Sequence, residues 1–463
     1  MANISHHPPG PKSRLPGDQL FAFRRSPLRF LLKVARTYGD ISSFRVGPQQ
    51  VYLLNHPDLI KDVLETHQSQ FSKSKTLQRA KGLLGEGLLT SEGAQHRQQR
   101  RLVQPAFHHT RLNRYGVMMV EHAARLSQRW MDGQRLDIAR EMRRLTLFIA
   151  GKTLFDADVE ADADEVVQAL TQAMGMVGLA RTPVLPFVTL LKRSLMSGRR
   201  LPPSPVREQL DAVIYRIINE RRRSGTDRGD LLSMLLAAQD EESGRRMTDE
   251  QVRDEAMTLF LAGHETTANA LSWTWYLLSQ HNEVEAKLHE EIDTVLAGRL
   301  PKAEDFARLR YVEMVFAEAM RLYPPVWTLG RSPISDYEVQ GYPVPAGALV
   351  LLSQYVMHHD ARYFPEPFRF DPERWQPEAR ESRPRFSYFP FGGGARRCIG
   401  EGFAWLEGVL LIATLAREWR ARPVPGHVVE PQALITLRPK RALPMILERR
   451  RRPQVTPNAV QPL

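Results

Sequence analysis

The chain has 463 residues, 42% of them hydrophobic and 25% charged, with a net charge of +12 and a single cysteine, Cys398. That balance belongs to a globular protein with a large core, and one thiol excludes an intramolecular disulfide, a zinc site built on several sulfurs and an internal cysteine-ligated iron–sulfur cluster. No stretch approaches the ~18–20 apolar residues that span a bilayer, and no helix-turn-helix, zinc-finger or RNA-binding pattern accompanies the positive charge, so nucleic acid is not an expected partner.

Residues 1–19 read as a proline-rich segment (Pro8, Pro9, Pro11, Pro16) with no secretory apolar region. Residues 20–447 read as one domain, since neither a linker nor a repeat interrupts them, and residues 448–463 read as a basic, solvated and disordered tail headed by Arg449-Arg450-Arg451-Arg452. Within the domain, Ser26-Pro27 opens a helix that Gly39 closes. Residues 41–46 and 51–54 form a hairpin about Gly47-Pro48. Helical patterning then prevails to about Tyr323, broken at Thr182-Pro183 and Leu201-Pro202-Pro203. Strands follow at residues 337–341, 342–345 and 349–353, and a last apolar helix from Gly402 to about Trp419. The expected architecture is mainly α with small β-sheets.

Four places carry chemistry. His96 and Arg100 stand four apart on a basic helix, which by itself reads as a solvated face. Thr248-Asp249-Glu250-Gln251 is a capping box opening a proline-free helix to about His281, roughly 33 residues and about 50 Å long. Inside it lies Ala262-Gly263-His264-Glu265-Thr266-Thr267. A glycine in a helix interior costs about 1 kcal/mol against alanine, so it marks close packing or function, and threonine hydroxyls can bond carbonyls one turn back. Glu318 and Arg321 share one helical face ahead of Pro324-Pro325, an arrangement ordinarily worth a few tenths of a kcal/mol at a surface. Cys398 lies in Phe391-Gly392-Gly393-Gly394-Ala395-Arg396-Arg397-Cys398-Ile399-Gly400. A lone cysteine is ordinarily a small buried apolar residue. Here glycines allow close backbone approach, and a following helix and two arginines are expected to hold the sulfur as thiolate.

The pattern Phe391-x-x-Gly394-x-Arg396-x-Cys398-x-Gly400 resembles the haem-ligand signature of the cytochrome P450 superfamily. The resemblance runs from about Pro8 to Leu447 and implies that family's fold, with haem b between the long helix and the Cys398 loop. Cys398 would be the axial thiolate of the iron, the ligand that favours O–O cleavage. Phe391 would shield the sulfur, the glycines would let the loop lie against the porphyrin, and backbone N–H groups after the cysteine would temper the sulfur's charge. Arg396, Arg331, Arg100 and His96 would hold haem propionates, with His96 standing where many members have tryptophan. Ala262 and Gly263 would leave room for O2, Thr266 would hydrogen-bond the activated oxygen, and Glu265 would relay protons. Glu318, Arg321 and Arg374, the last in Pro372-Glu373-Arg374-Trp375, match a structural triad. The substrate pocket would include Leu84, Leu88, Phe260, Val326, Trp327, Leu329 and Thr436.

The implied activity is monooxygenation of a lipophilic terpenoid- or fatty-acid-like molecule. Electrons would come from NAD(P)H through a reductase and an acidic ferredoxin or flavodoxin that meets Arg97, Arg101 and Arg397. A peroxygenase or isomerase of the same fold is the alternative, but such members typically lack the acid–alcohol pair. A haem-based sensor would need an output domain. In membrane-bound members a Pro-Pro-Gly-Pro element follows an anchor; here Pro8-Pro9-Gly10-Pro11 opens the chain, so a cytoplasmic bacterial-type monomer with no transmembrane anchor is expected, in keeping with one reduced cysteine.

Overall fold

Helix α1 (Asp18–Arg25) leads into α2 (Pro27–Tyr38), which starts on Pro27 at its first position and stops at Gly39, whose φ of 85° lies in the left-handed region that favours glycine. The computed structural model describes residues 7–13, 15–156, 205–239, 244 and 246–451, so the chain breaks expected at Thr182-Pro183 and Leu201-Pro202-Pro203 lie outside the described residues. Pro8, Pro9 and Gly10 of the proline-rich segment are packed against the first strand at Ser43. Ser43 donates from its N–H to the Pro9 carbonyl (2.9 Å) and from its hydroxyl to the Pro8 carbonyl (3.0 Å). A Cβ on Gly10 would lie 1.7 Å from the Ser43 carbonyl oxygen, so only glycine fits there.

The hairpin of β1 (Ile41–Val46) and β2 (Gln49–Leu54) does not stay local. With β3 (Phe71–Lys73), β5 (Leu329–Pro333) and β8 (Leu349–Leu352) it forms a five-stranded sheet in the order β1-β2-β8-β5-β3, in which β2 and β8 run parallel with Val51 opposite Leu349. The two strand regions expected at opposite ends of the domain therefore share one sheet. Strand β4 (Arg135–Asp137) joins a second sheet ordered β4-β12-β9, and β6 (Tyr337–Val339) pairs with β7 (Tyr342–Val344).

The helices that carry the candidate site and its supports are α3 (Gly93–Val103), α4 (His109–Gln128), α5 (Ile138–Phe155), α6 (Asp249–Leu278), α7 (Arg310–Leu322) and α8 (Glu401–Ala416). The capping box of α6 is complete: Thr248 Oγ1 accepts from the Gln251 N–H (3.2 Å), and Gln251 Oε1 accepts from the Thr248 N–H (2.9 Å). The helix has 30 residues, about 45 Å, and ends at Leu278, three residues before the expected stop. It packs on α5, α7 and α8 and is buried on all sides over most of its length, as a helix through the centre of a domain must be. Helix α8 ends at Ala416, and Trp419 instead begins β9 (Trp419–Pro423).

A short hairpin of β10 (Pro431–Ala433) and β11 (Leu437–Pro439) turns inward near the middle of α6. Its tip is fixed by three bonds. The indole N–H of Trp273 donates to the Leu437 carbonyl (3.1 Å), that of Trp327 to the Leu434 carbonyl (2.9 Å), and the Leu437 N–H to the Pro325 carbonyl (2.8 Å).

The expected tail boundary at residue 447 needs correction. Strand β12 (Pro444–Arg449) pairs Arg449 with Trp419. The next side chain, Arg450, is buried: it meets Asp293 at 2.7 Å and donates to the Ala416 and Arg417 carbonyls (3.1 Å each). An arginine fork whose partners sit at a helix end is not a solvated charge. Among the described residues, no helix is long and apolar enough to cross a membrane.

Candidate active site

The cysteine loop is braced from behind. Gly392 and Gly394 have φ of 72° and 64°, where side-chain-bearing residues are strained. A Cβ on Gly394 would lie 1.8 Å from the Leu64 carbonyl oxygen, and one on Gly393 would lie 2.5 Å from the Phe386 ring. At these two positions the close approach is to the protein itself. Gln68 Oε1 accepts from the Ala395 N–H (2.7 Å), and the Cys398 N–H donates back to the Phe391 carbonyl (3.0 Å). The Phe391 ring packs beside Trp405, 5.8 Å between centroids. The thiol is thereby presented just before Gly400, the N-cap of α8.

Cys398 is solvent-accessible, yet enough protein surrounds its sulfur for burial to push the thiol up from its ordinary range, against the pull of the Gly400 N–H, Arg100 and Arg397. The neighbouring arginines face elsewhere. Arg397 pairs with Glu401 (2.7 Å), while Arg396 pairs with Glu92 and donates to the Ser91 carbonyl (2.8 Å). The helix N-terminus and the arginines expected to favour a thiolate act in that direction, but less strongly than burial acts against them. A metal ion bound by Cys398 would favour the thiolate, since coordination displaces a thiol's proton.

On α3, residues four apart divide into an inner and an outer row. Arg97 and Arg101 are exposed, whereas His96 is buried and Arg100 half-buried, with Arg100 Nη1 donating to the Arg397 carbonyl (2.8 Å). Burial, then the charges of Arg396, Lys73 and Arg100, push His96 down to about 3, so the imidazole stays neutral. Burial and Arg396 push Arg331 down to about 10, and burial and the same arginine push Lys73 down to about 7. Arg100, Arg331, Arg396 and Lys73 thus crowd one region, with Glu92 and, toward Lys73, Glu255 as the acids that offset them.

Lys73 also organises the loop at residues 85–91, donating from Nζ to the carbonyls of Leu88 (3.0 Å), Leu89 (2.6 Å) and Ser91 (3.1 Å). Helix α6 holds the other side: Asp254 accepts from the Glu86 N–H (2.7 Å) and Glu255 from the Leu88 N–H (3.0 Å). One loop therefore ties α6 to the Arg396 segment.

Halfway along α6, burial is interrupted. Ala262 is exposed and Gly263 and Thr266 are half-buried, while the residues on either side are closed off. The nearest atom to a Cβ built on Gly263 would be Leu154 Cδ1 at 3.9 Å. Thr266 donates its hydroxyl to the Ala262 carbonyl (2.8 Å). Glu265 is buried and turned elsewhere: its Oε1 accepts from the Thr436 hydroxyl at 2.8 Å.

Glu318, Arg321 and Arg374 are brought together. Arg321 meets Glu318 with two parallel bonds of 2.8 Å and donates further to the carbonyls of His358 (2.8 Å), Pro367 (2.7 Å) and Arg369 (3.0 Å). Glu318 also accepts from the Trp375 indole (3.0 Å) and the Asp371 N–H (3.1 Å), and Arg374 Nε stands 3.5 Å from it. His358 carries the network onward, its Nε2 accepting from the Phe389 N–H (3.1 Å) at the root of the cysteine loop.

The pocket candidates separate. Val326 and Leu329 are half-buried, whereas Leu84, Leu88 and Phe260 are closed into the core. Trp327 packs with Leu28, Leu31 and Leu437 and is 1% exposed, so its role is to fix the β10–β11 hairpin. Thr436 faces Glu265. Sequence reasoning did not single out Lys73, Glu92, Glu255 or the Thr436–Glu265 bond. None lies in a spacing pattern, and each partner is brought in by tertiary contact.

A family model described as Cytochrome P450 matches residues 8–443. The chain belongs to the cytochrome P450 family. It is 41% identical over 423 residues to cyclooctatin synthase of Streptomyces melanosporofaciens, covering 91% of each chain. It is 37% identical over 435 residues to pentalenene oxygenase of Streptomyces avermitilis, covering 92% of this chain and 94% of that one. Among solved structures, the haem domain of cytochrome P450DA superposes with a TM-score of 0.85 at 26% identity, over 96% of this chain and 98% of that one.

As a member, the protein is a haem-thiolate monooxygenase that uses O2 and draws electrons from a redox partner for a lipophilic substrate. The residues present fit that cofactor. An accessible thiol, a surplus of cations suited to two propionates, and an open stripe of small residues on a buried helix lie on elements joined by one loop.

Proposed function

We propose that the protein hydroxylates a terpenoid-type hydrocarbon or alcohol: RH + O2 + two electrons + two protons give ROH + H2O. The observation that carries this reading is the pairing of Cys398 with the interrupted burial at Ala262, Gly263 and Thr266, supported by relatives named pentalenene oxygenase and cyclooctat-9-en-7-ol 5-monooxygenase, the latter 39% identical over 406 residues. Cys398 would ligate the haem iron, whose thiolate ligand supplies the electron density that favours O–O cleavage. Arg396, Arg100, Arg331 and neutral His96 would hold the propionates, with Phe391 beside the sulfur. Ala262 and Gly263 would leave space beside the bound haem, and Thr266 would present a hydroxyl there. Glu265 passes protons toward that hydroxyl through water, a general-acid role worth about 10²–10⁴ in rate.

Electrons are proposed to come from NAD(P)H through a separate acidic ferredoxin or flavodoxin in the cytoplasm. The exposed outer row of α3, Arg97 and Arg101, favours that partner. Ferrous protein with CO should give the strongly red-shifted Soret band of sulfur ligation, and Cys398→Ala should abolish both band and turnover. A Cys398→Ala protein that keeps both sinks the reading. Incubating reconstituted enzyme with candidate terpenes and analysing products by mass spectrometry tests the substrate class; turnover of fatty acids alone would overturn it.

A further inference from the structure

Residues adjacent in a helix point about 100° apart. Thr266 therefore opens on the interrupted stretch of α6, while Glu265 is directed to the β10–β11 hairpin and buried against it. There the Thr436 hydroxyl donates to Glu265 Oε1 at 2.8 Å, a bond closed off from solvent at both ends. Thr436 is not free to wander. The hairpin tip is fixed on one side by the indole of Trp273, which is on α6 two turns beyond Glu265, and on the other by Trp327 and the Pro325 carbonyl. Three bonds to rigid elements thus aim one hydroxyl at one carboxylate. Arg143 of α5 and the neighbouring His264 are close enough to interact with Glu265 through charge.

We propose that Thr436 is a positioning residue for proton delivery, fixing the orientation of the Glu265 carboxylate against the β10–β11 hairpin, rather than a contact for the substrate. This rests on the proton-relay reading of Glu265. A carboxylate with several rotatable bonds delivers a proton poorly unless its orientation is set in advance, and a buried acceptor that loses its donor reorients toward whatever polar group remains.

The test uses the haem-loaded enzyme and three variants. Thr436→Val keeps the shape and removes the donor, Thr436→Ser keeps the donor, and Glu265→Gln identifies the Glu265 band in the infrared. In resting protein without substrate, Thr436→Val should shift that carboxylate stretch and Thr436→Ser should restore it. In turnover, Thr436→Val should lower kcat about tenfold, raise the solvent isotope effect and divert electrons to hydrogen peroxide, with KM within about twofold of wild type. A raised KM with unchanged kcat would make Thr436 a substrate contact and overturn the proposal. An unshifted infrared band would also overturn it, by removing the bond. If Glu265→Gln slows turnover while Thr436→Val does not, the positioning proposal falls alone. If Glu265→Gln is without effect, the relay reading falls and takes this proposal with it.

Discussion

Two arginine-rich regions of this molecule obey opposite rules. Around Glu318 the hydrogen bonds close inside the protein, although Arg374 adds a second cation beside one acid: Arg321 is fully buried, both carboxylate oxygens are bonded, and the guanidinium is shared among one acid and three carbonyls. Around Cys398 they do not. Arg100, Arg331, Arg396 and Lys73 stand close enough to depress one another's titration, with Glu92 and Glu255 set against them. A closed network needs nothing further and serves rigidity. A cationic surplus next to an accessible thiol is costly unless an anion from outside completes it, as haem carboxylates would. The same residue type therefore marks scaffold in one place and cofactor site in the other, and the balance of partners tells them apart.

The largest effect should come from opening the closed network. Glu318→Gln leaves the Arg321 guanidinium buried without its counter-charge, which should cost about 3–5 kcal/mol, read as a lowered urea midpoint and poor recovery of haem-loaded protein. Arg331→Gln, in the open region, should cost far less stability. Equal losses in the two variants would erase the distinction.

Next, Arg396→Gln should speed haem transfer to an acceptor apoprotein about tenfold, the worth of one charge-assisted bond. Glu92→Gln should leave retention unchanged or improved, because it removes the anion that competes for Arg396. Faster haem loss from Glu92→Gln would show that the region is balanced internally after all.

Buried titratable groups sharpen the comparison through pH. Burial pushes His289 down to about 2 and His359 down to about 3, with nearby arginines adding to the effect. Each stays neutral in the folded protein while the unfolded chain protonates near 6.5, so each withdraws about 1.4 kcal/mol of stability per pH unit as pH falls below 6.5 toward those values. Glu407 runs the other way. Burial raises it to about 8, partly offset by the Thr267 hydroxyl, so its contribution is full below pH 4.5 and lost as pH rises to about 8. Urea midpoints measured between pH 5 and 6.5 should become less pH-dependent in His289→Leu and more so in Glu407→Gln. Slopes that move together would show that the two groups are not held in opposite protonation states, His289 without its proton and Glu407 with it.

How much of this was legible beforehand follows from where the partners lie along the chain. The capping box of α6, the α2 boundaries, the first hairpin and the Cys398 pattern are local, and each reads directly from spacing. Glu318 and Arg321 are local too, but their burial depends on carbonyls some forty residues on. The parallel pairing of β2 with β8, the Lys73 clamp on residues 88–91, the Glu92–Arg396 pair and the Thr436–Glu265 bond join residues with no periodic relation. Pattern reasoning could name members of these pairs, but not that they meet. Thr436 illustrates the result, being named as a pocket residue from its stretch of chain while the structure turns its hydroxyl to an acid.

The smallest effect concerns the face outside the cation cluster. Helix α3 turns His96 and Arg100 inward and Arg97 and Arg101 outward, so the outer pair can be changed without touching the inner one. Arg397 is a poorer probe, because Glu401 already neutralises it. Charge reversal at Arg101 should therefore slow reduction by an acidic carrier severalfold at low ionic strength, while substrate-binding spectra and haem retention stay as in wild type. Exposed charges act through the encounter and are screened over about 8–10 Å at ordinary salt. The gap between Arg101→Glu and wild type should accordingly close as salt rises, and a gap that persists at high salt would place Arg101 with the inner residues instead.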